Sequence, residues 1–228
     1  MHLSVIVPVL DEAGRIGQQL AELRAIPGIG EVVVVDGGSR DGTPDIARAA
    51  PGVRVIAAPR GRGTQLNAGA RAARGDVLLF LHVDTSLPVD TAAWIVRALA
   101  DRGVVAGAFR IRTVADTGPR WVAPLLRLAD LRSRVTHLPY GDQAVFVRRD
   151  VFERVGGFPD QPLMEDVELA RRLRRAGRIV TVAGVVQVSG RRFVANPVRA
   201  VLAMRLFPLL YRLGVSPARL ARLYGDPR

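Results

Sequence analysis

DVLLFLHVDT, residues 76–85, joins a run that belongs inside a protein to an ending that does not. Val77 to Leu81 and Val83 are apolar, whereas His82 and Asp84 put polar groups at the end of the run. On an extended chain, residues two apart project to the same face, so these two side chains are expected side by side. A strand apolar on both faces belongs to a parallel sheet covered by helices on each side. Polar groups beyond its carboxyl end then lie where open α/β sheets bind ligands.

The surrounding sequence repeats this pattern. LSVIVPVL (3–10), EVVVVD (31–36) and VRVIAA (53–58) read as three further buried strands, and 76–82 as the fourth. Helical periodicity fills the intervals at 12–25, 43–50, 64–74 and 89–101. Alternation of this kind specifies an α/β fold with a Rossmann-like, mostly parallel central sheet flanked by helices. Farther on, 104–111, 142–149 and 178–188 read as strands, the last broken at Gly184. Helices are expected at 119–135 and 164–177, and a helical tail at 195–224 with breaks near Pro208 and between Gly214 and Pro217. No repeat, low-complexity segment or long linker divides the 228 residues, so one domain is expected.

Composition narrows the functional classes. With no cysteine, disulfides and thiolate metal sites are excluded. The net charge is +12, and every one of the 33 basic residues is arginine, which reads as genomic base composition rather than selection for a partner. The positive field nevertheless favours anionic ligands such as nucleotides or phospholipid head groups. No basic platform interleaved with aromatic residues supports nucleic-acid binding. MHLSVIVPVLDEAGR lacks the basic start and long apolar core of a signal peptide, and no apolar run is long enough to span a membrane. The expected location is the cytoplasm.

Four strand ends converge on one chemistry. Asp11 and Glu12 follow the first strand, Asp36 ends the second, PRGRGTQLNAG follows the third, and His82 and Asp84 close the fourth. A nicotinamide-dependent dehydrogenase needs a glycine-rich turn after its first strand, where VLDEAG here places two carboxylates. GRGTQLNAG lacks the Gly-Lys-Ser/Thr ending of a Walker loop. Carboxylates facing a diphosphate become sensible with a divalent cation between them, and magnesium and manganese favour such oxygen ligands. Asp84 is the candidate metal ligand, while His82 is open to ribose, phosphate or manganese. Glu165 and Asp166 begin the helix of MEDVELARRLRRAG. They either complement the helix dipole or supply a general base to an acceptor hydroxyl.

SVIVPVLDE, VVVVDGGSRDGT, GRGTQLNAGARAARGDVLLFLHVDT, GDQAVFVRRDVFERVGGF and MEDVELARRLRRAG occur in the order and spacing of family 2 glycosyltransferases, which this chain resembles over nearly its whole length. The tail YRLGVSPARLARLYG and the LHVDT variant resemble a small bacterial subgroup associated with arsenosugar biosynthesis. The resemblance implies a GT-A fold and inverting transfer from a nucleotide-diphosphate sugar, with uridine the family expectation and guanine open. It divides the single domain into a nucleotide-sugar half (1–110), an acceptor and catalytic half (111–190) and a helical tail (191–228). Pro8, Leu10 and Glu12 would line the nucleotide pocket, Asp36 would meet the base, and Arg62 would sit beside the base or diphosphate. Asp84 matches the last Asp of the family's DxD motif and would bind Mn2+ or Mg2+, with His82 in place of the first Asp. Asp166 would be the catalytic base, with Glu165 shaping the helix start, and Asp142 and Gln143 on the acceptor side. SGRRF matches the later basic motif loosely, which would bring Arg191 and Arg192 to the diphosphate.

Three alternatives accompany this expectation. The first is a sugar nucleotidyltransferase, but its glycine-rich arginine–lysine loop near the N-terminus is missing. The second is a non-catalytic nucleotide-binding module, against which the joint presence of Asp36, Asp84 and Asp166 argues. Last, a polyprenyl-phosphate sugar transferase would use the tail, where VRAVLAMRLFPLLYRL (198–213) mixes apolar residues with Arg199, Arg205 and Arg212. That segment reads either as a helix on the core with outward arginines or as an interfacial helix on the inner membrane face.

Overall fold

A computed structural model describes residues 1–114, 130, 139–190 and 206–224. Its sheet has eight strands in the order β3-β2-β1-β4-β7-β6-β8-β5. They are β1 (Leu3–Val9), β2 (Ile29–Asp36), β3 (Val53–Ala57), β4 (Val77–Phe80), β5 (Thr85–Ser86), β6 (Val104–Val114), β7 (Phe146–Arg148) and β8 (Arg178–Ser189). The described helices are α1 (Ala13–Arg24), α2 (Thr43–Ala49), α3 (Arg62–Ala72), α4 (Thr91–Leu99), α5 (Arg149–Arg154), α6 (Glu165–Ala176) and α7 (Pro217–Tyr224), and residues 206–212 are also helical. β1 to β4 form one parallel set, while β7 and β5 run against their neighbours. The expected α/β architecture with a mostly parallel sheet is therefore present.

Alternation along the strands builds two cores. Val5, Val7 and Val9 face α1 and α4 through Ile16, Leu20, Ile95 and Leu99. Ile6, Val33 and Val35 face α3 and α6 through Leu66, Ala70, Leu169 and Leu173. Burial on both faces explains why these strands read as continuous apolar runs. Pro8 survives in a central strand because the β4 ladder has ended beside it. Ile6 accepts the last bond, from Leu81 N–H, and Pro8 is the next residue facing that side. β1 and β4 thus part at the point where the strand order reverses, which opens the crevice.

Several boundaries differ from the sequence reading. β4 stops at Phe80, and His82–Thr85 is a turn closed by Thr85 N–H on the His82 carbonyl, so His82 and Asp84 do not share an extended strand. Gln19 fixes this turn through bonds to the carbonyls of His82 (2.6 Å) and Thr85 (3.3 Å). The strand expected at 142–149 is a 3₁₀ turn (Gly141–Gln143), the three-residue β7 and then α5. β8 runs unbroken through Gly184, but its register with β6 slips there between Ala108 and Arg110. A Cβ at Gly184 would meet the rings of Phe109 and Trp94 at 3.0 Å, which is why a glycine stands in the strand. The helix expected at 119–135 lies outside the described residues except for Asp130, as does the first part of the tail.

Candidate active site

Two adjoining pockets open at the carboxyl ends of β1 and β4. Pro8, Val9, Leu10, Glu12, Gln65, Val83 and Asp84 line one, together with Arg62 and His82. Arg62 and His82 also line the second, where Phe80, Gly141, Phe158, Glu165 and Asp166 complete the wall. The cleft beyond β1 and β4 and the start of α6 therefore share a boundary made of two side chains.

The first pocket is shaped by loops laced to one another. Asp36, 8% exposed, accepts bonds from Gly38 N–H (3.1 Å) and Ser39 N–H (3.2 Å). Ser39 Oγ also donates to Asp36 and accepts from Asp11 N–H. Glu12 N–H donates to Thr43 Oγ1 (2.8 Å) and Ala13 N–H to Asp41 (2.9 Å). Asp36 thus organises the loop behind the first pocket. Asp41 is held below the ordinary carboxylate range chiefly by the Thr43 hydroxyl, then by Ala13 N–H.

The second pocket centres on α6. Asp166 Oδ2 accepts from Gly141 N–H at 2.8 Å, and Oδ1 from Val167 N–H at 2.8 Å. A Cβ at Gly141 would lie 3.3 Å from both Asp166 Oδ2 and His82 Nε2, so these two groups face each other across a single residue. Glu165 is only 2% exposed and bonds Arg62 Nε, while Arg62 Nη2 stands 3.8 Å from Asp166. Burial alone would lower the Arg62 pKa, but Glu165, then Asp166 and Asp142, outweigh it and raise the value. Gln143, 1% exposed, accepts from Tyr140 N–H and donates to the Phe109 carbonyl, so it braces the turn. Asp142 is partly exposed beside it and adds to the field on Arg62. Arg191 and Arg192 lie outside the described residues.

The sequence did not reveal the role of α3. Gln65 donates to the carbonyls of Val9 (2.9 Å) and Val35 (2.8 Å), which ties α3 to the ends of β1 and β2. Asn67 exchanges two bonds with Phe158, at 2.9 and 3.0 Å, tying it to the loop before α6. Polar residues beside core-facing Leu66 and Ala70 were the available signal. Backbone strain marks the same places. Asp11, Ala144 and Met164 are the non-glycine residues with positive φ among those described, and each adjoins a site residue.

Among the described residues no three His, Asp or Glu side chains cluster as a metal site. Asp84, with His82 nearby, nonetheless fits a divalent ion that takes its other ligands from phosphate and water.

The mostly parallel central sheet flanked by helices is that of the GT-A glycosyltransferase fold. Residues 4–156 match Glycosyl transferase family 2, and the chain belongs to that family and is a glycosyltransferase. It is 27% identical over 239 residues, covering 98% of this chain and 68% of the relative, to an undecaprenyl-phosphate 4-deoxy-4-formamido-L-arabinose transferase of Pseudomonas paraeruginosa. Over 120 residues, 52% of each chain, it is 35% identical to a dolichyl-phosphate hexose transferase of Haloferax volcanii. A mannosyltransferase from Pyrobaculum calidifontis, solved with GDP-Man and Mn2+, superposes with a TM-score of 0.71 at 26% identity, covering 98% of this chain and 68% of that one.

Proposed function

We propose that this glycosyltransferase moves a sugar from a nucleotide-diphosphate donor to an acceptor beside Asp166, with inversion at the anomeric carbon. The observation carrying this reading is the shared wall of Arg62 and His82, which sets an acidic donor pocket against a pocket with its own carboxylate. Pro8, Leu10 and Glu12 line the nucleotide, and Asp36 accepts from the base as well as from its own loop. The GDP-Man and Mn2+ in the mannosyltransferase support a nucleotide sugar and a divalent ion here. Asp84 holds that ion, and when bound the ion supplies Lewis-acid stabilisation of the leaving diphosphate. On the sequence resemblance alone, Arg191 and Arg192 would add positive charge to the same group.

Asp166 takes the proton from the acceptor hydroxyl. Two backbone N–H groups orient its oxygens, and a carboxylate has lone pairs left to accept the proton. Attack then comes from the face opposite the diphosphate, and a single displacement inverts the centre.

A lipid-phosphate acceptor is the second reading. Both relatives above are named as lipid-phosphate sugar transferases, and Leu206 and Leu209 are 44% and 52% exposed on the helix of 206–212, with Leu213, 73% exposed, in the turn after it. Among the described residues no helix is long and apolar enough to cross a membrane, so contact would be peripheral. A phosphate acceptor has no hydroxyl proton to surrender, so turnover should then depend little on Asp166 as a base.

The test is a thermal-shift panel of UDP and GDP sugars with Mn2+, Mg2+ or chelator. Stabilisation by one donor, lost with chelator and in Asp84→Ala, is the expected result. No shift with any donor would return the protein to the non-catalytic reading. Co-flotation with vesicles containing anionic lipid would favour the lipid-phosphate acceptor over a soluble one.

A further inference from the structure

Arg62 begins α3 at the edge of the donor crevice, where the family resemblance places it against base or diphosphate. Its guanidinium is turned to the other pocket. Nε donates to the buried carboxylate of Glu165, and Nη2 lies 3.8 Å from Asp166 Oδ2. We propose that Arg62 is a positioning residue for Asp166 rather than a donor ligand: anchored on Glu165, it fixes the first turn of α6 and so the carboxylate that meets the acceptor. This rests on the reading of Asp166 as the base.

Three observations converge on this role. First, α6 has no side-chain cap, and it begins after Met164 in a left-handed conformation (φ 66°), so its own sequence does little to fix its start. Its first turn carries Glu165, Asp166 and Glu168, which favour the helix dipole but repel one another. Glu168 is met by Arg172 and Arg171 of the helix itself, at 3.2 and 3.8 Å, whereas Glu165 and Asp166 take their cation from outside it, and Arg62 supplies it.

Second, Arg62 stands on a braced platform. A Cβ at Gly63 would lie 3.1 Å from the Pro159 carbonyl and 3.5 Å from Glu165 Cγ, so the absence of a side chain lets α3 come close to the loop before α6. One turn later Asn67 bonds both backbone groups of Phe158. Gln65 ties the same helix to the strand ends behind the donor crevice. α3 therefore holds donor loops and catalytic carboxylate in one frame, and Arg62 is where that frame reaches α6.

Third, the geometry asks for arginine in particular. One planar fork presents Nε to Glu165 and Nη2 towards Asp166, two directions from one rigid group, which a lysine ammonium cannot reproduce.

The test is Arg62→Lys beside the double variant Arg62→Met/Glu165→Gln, which removes both charges and leaves neither buried without a partner. Donor affinity measured by calorimetry with the nucleotide sugar should stay within about threefold of wild type, and donor KM likewise. kcat should fall about 100-fold in both, the size expected when a catalytic group is displaced by about 1 Å. If Arg62→Lys does not fold, the double variant carries the same readout. A tenfold or greater loss of donor affinity with kcat within twofold would make Arg62 a donor ligand and overturn the inference. So would wild-type kcat in both variants. Those outcomes leave the functional reading standing, because the wild type still binds and turns over. A wild type that binds no nucleotide sugar overturns the functional reading and this inference together.

Discussion

Asp84 and Asp166 face the same cleft, yet the chain delivers them in opposite ways. Asp84 follows a strand whose ladder with β1 runs in register from Leu3↔Val77 to Ile6↔Phe80, which carries the chain to the crevice, and Gln19 then fixes the turn that holds it. Asp166 sits one residue into a helix that starts from a left-handed Met164 without a side-chain cap. Its place depends on Gly141, Arg62 and Asn67, residues remote in sequence. The parallel sheet brings the donor groups to the crevice and Gln19 and Gln65 finish their placement, whereas the catalytic carboxylate has no sheet beneath it and is positioned by tethers from α3 and Gly141. The first arrangement rests on the ladder with two glutamines completing it, and the second on side chains alone.

The most direct way to break this comparison is Asp166→Asn beside Asp84→Ala. If the two halves are held independently, Asp166→Asn should lower kcat by roughly 10²–10⁴-fold, the usual contribution of a general base. Donor binding should stay close to wild type. Asp84→Ala should do the reverse to metal-dependent binding. Calorimetry and initial rates on the same preparations separate the two, and parallel loss of binding in both variants would show the division to be false.

Asn67→Ala sharpens the comparison with a smaller effect. It removes two bonds to Phe158, leaving loop groups without their partner at a cost of about 1–3 kcal/mol in urea unfolding. The aromatic cluster of Phe80, Phe152 and Phe158, with centroids 4.9–5.7 Å apart, should keep the loop folded. The expected signature is a larger fall in kcat than in donor affinity. An equal fall in both would mean that α3 serves the whole domain and not the catalytic loop in particular.

The same contrast explains what was legible in the sequence. β1 to β4 announce themselves because both faces are buried and the apolar runs are continuous, so the crevice follows from strand order. DQAVFVRR also looks like a continuous strand, yet Gln143 bonds Tyr140 and Phe109 and Ala144 takes φ 48°, which turns the chain and leaves only the three residues of β7 extended. The partner of that bond at Phe109 is 34 residues away, beyond any local pattern. The end of β4 was misplaced for a similar reason, since Gln19 fixes the His82 turn from 63 residues away. Arg62 was visible as a basic residue in a glycine-rich loop, but its bond to Glu165 spans 103 residues. Residue types at strand ends were readable, and their orientation was not, because partners distant in sequence set it.

The smallest expected effect lies at the amino ends of the strands, opposite the crevice and its two carboxylates. Glu31 there accepts from Ser4 Oγ at 2.6 Å and from Arg74 N–H, while Ser4 Oγ accepts from Gly75 N–H at 2.8 Å. Burial would raise the Glu31 pKa, but the Ser4 hydroxyl, the Arg74 N–H and the charge of His2 together bring it below its ordinary value of 4.5. A carboxyl with a depressed folded value is deprotonated more readily in the native state than in the unfolded chain. Its contribution is therefore present above the ordinary value and is lost as pH falls through the lower native one. Glu31→Gln should be slightly less stable than wild type at neutral pH, with the gap closing below about pH 4.5. Urea midpoints across that range measure it, and kcat should not change at all, since these bonds only join the starts of β1 and β2 to the chain after α3. A gap that persists undiminished into acid would mean that Glu31 acts through packing rather than charge, so that the strand starts rely on side-chain fit as the crevice end does.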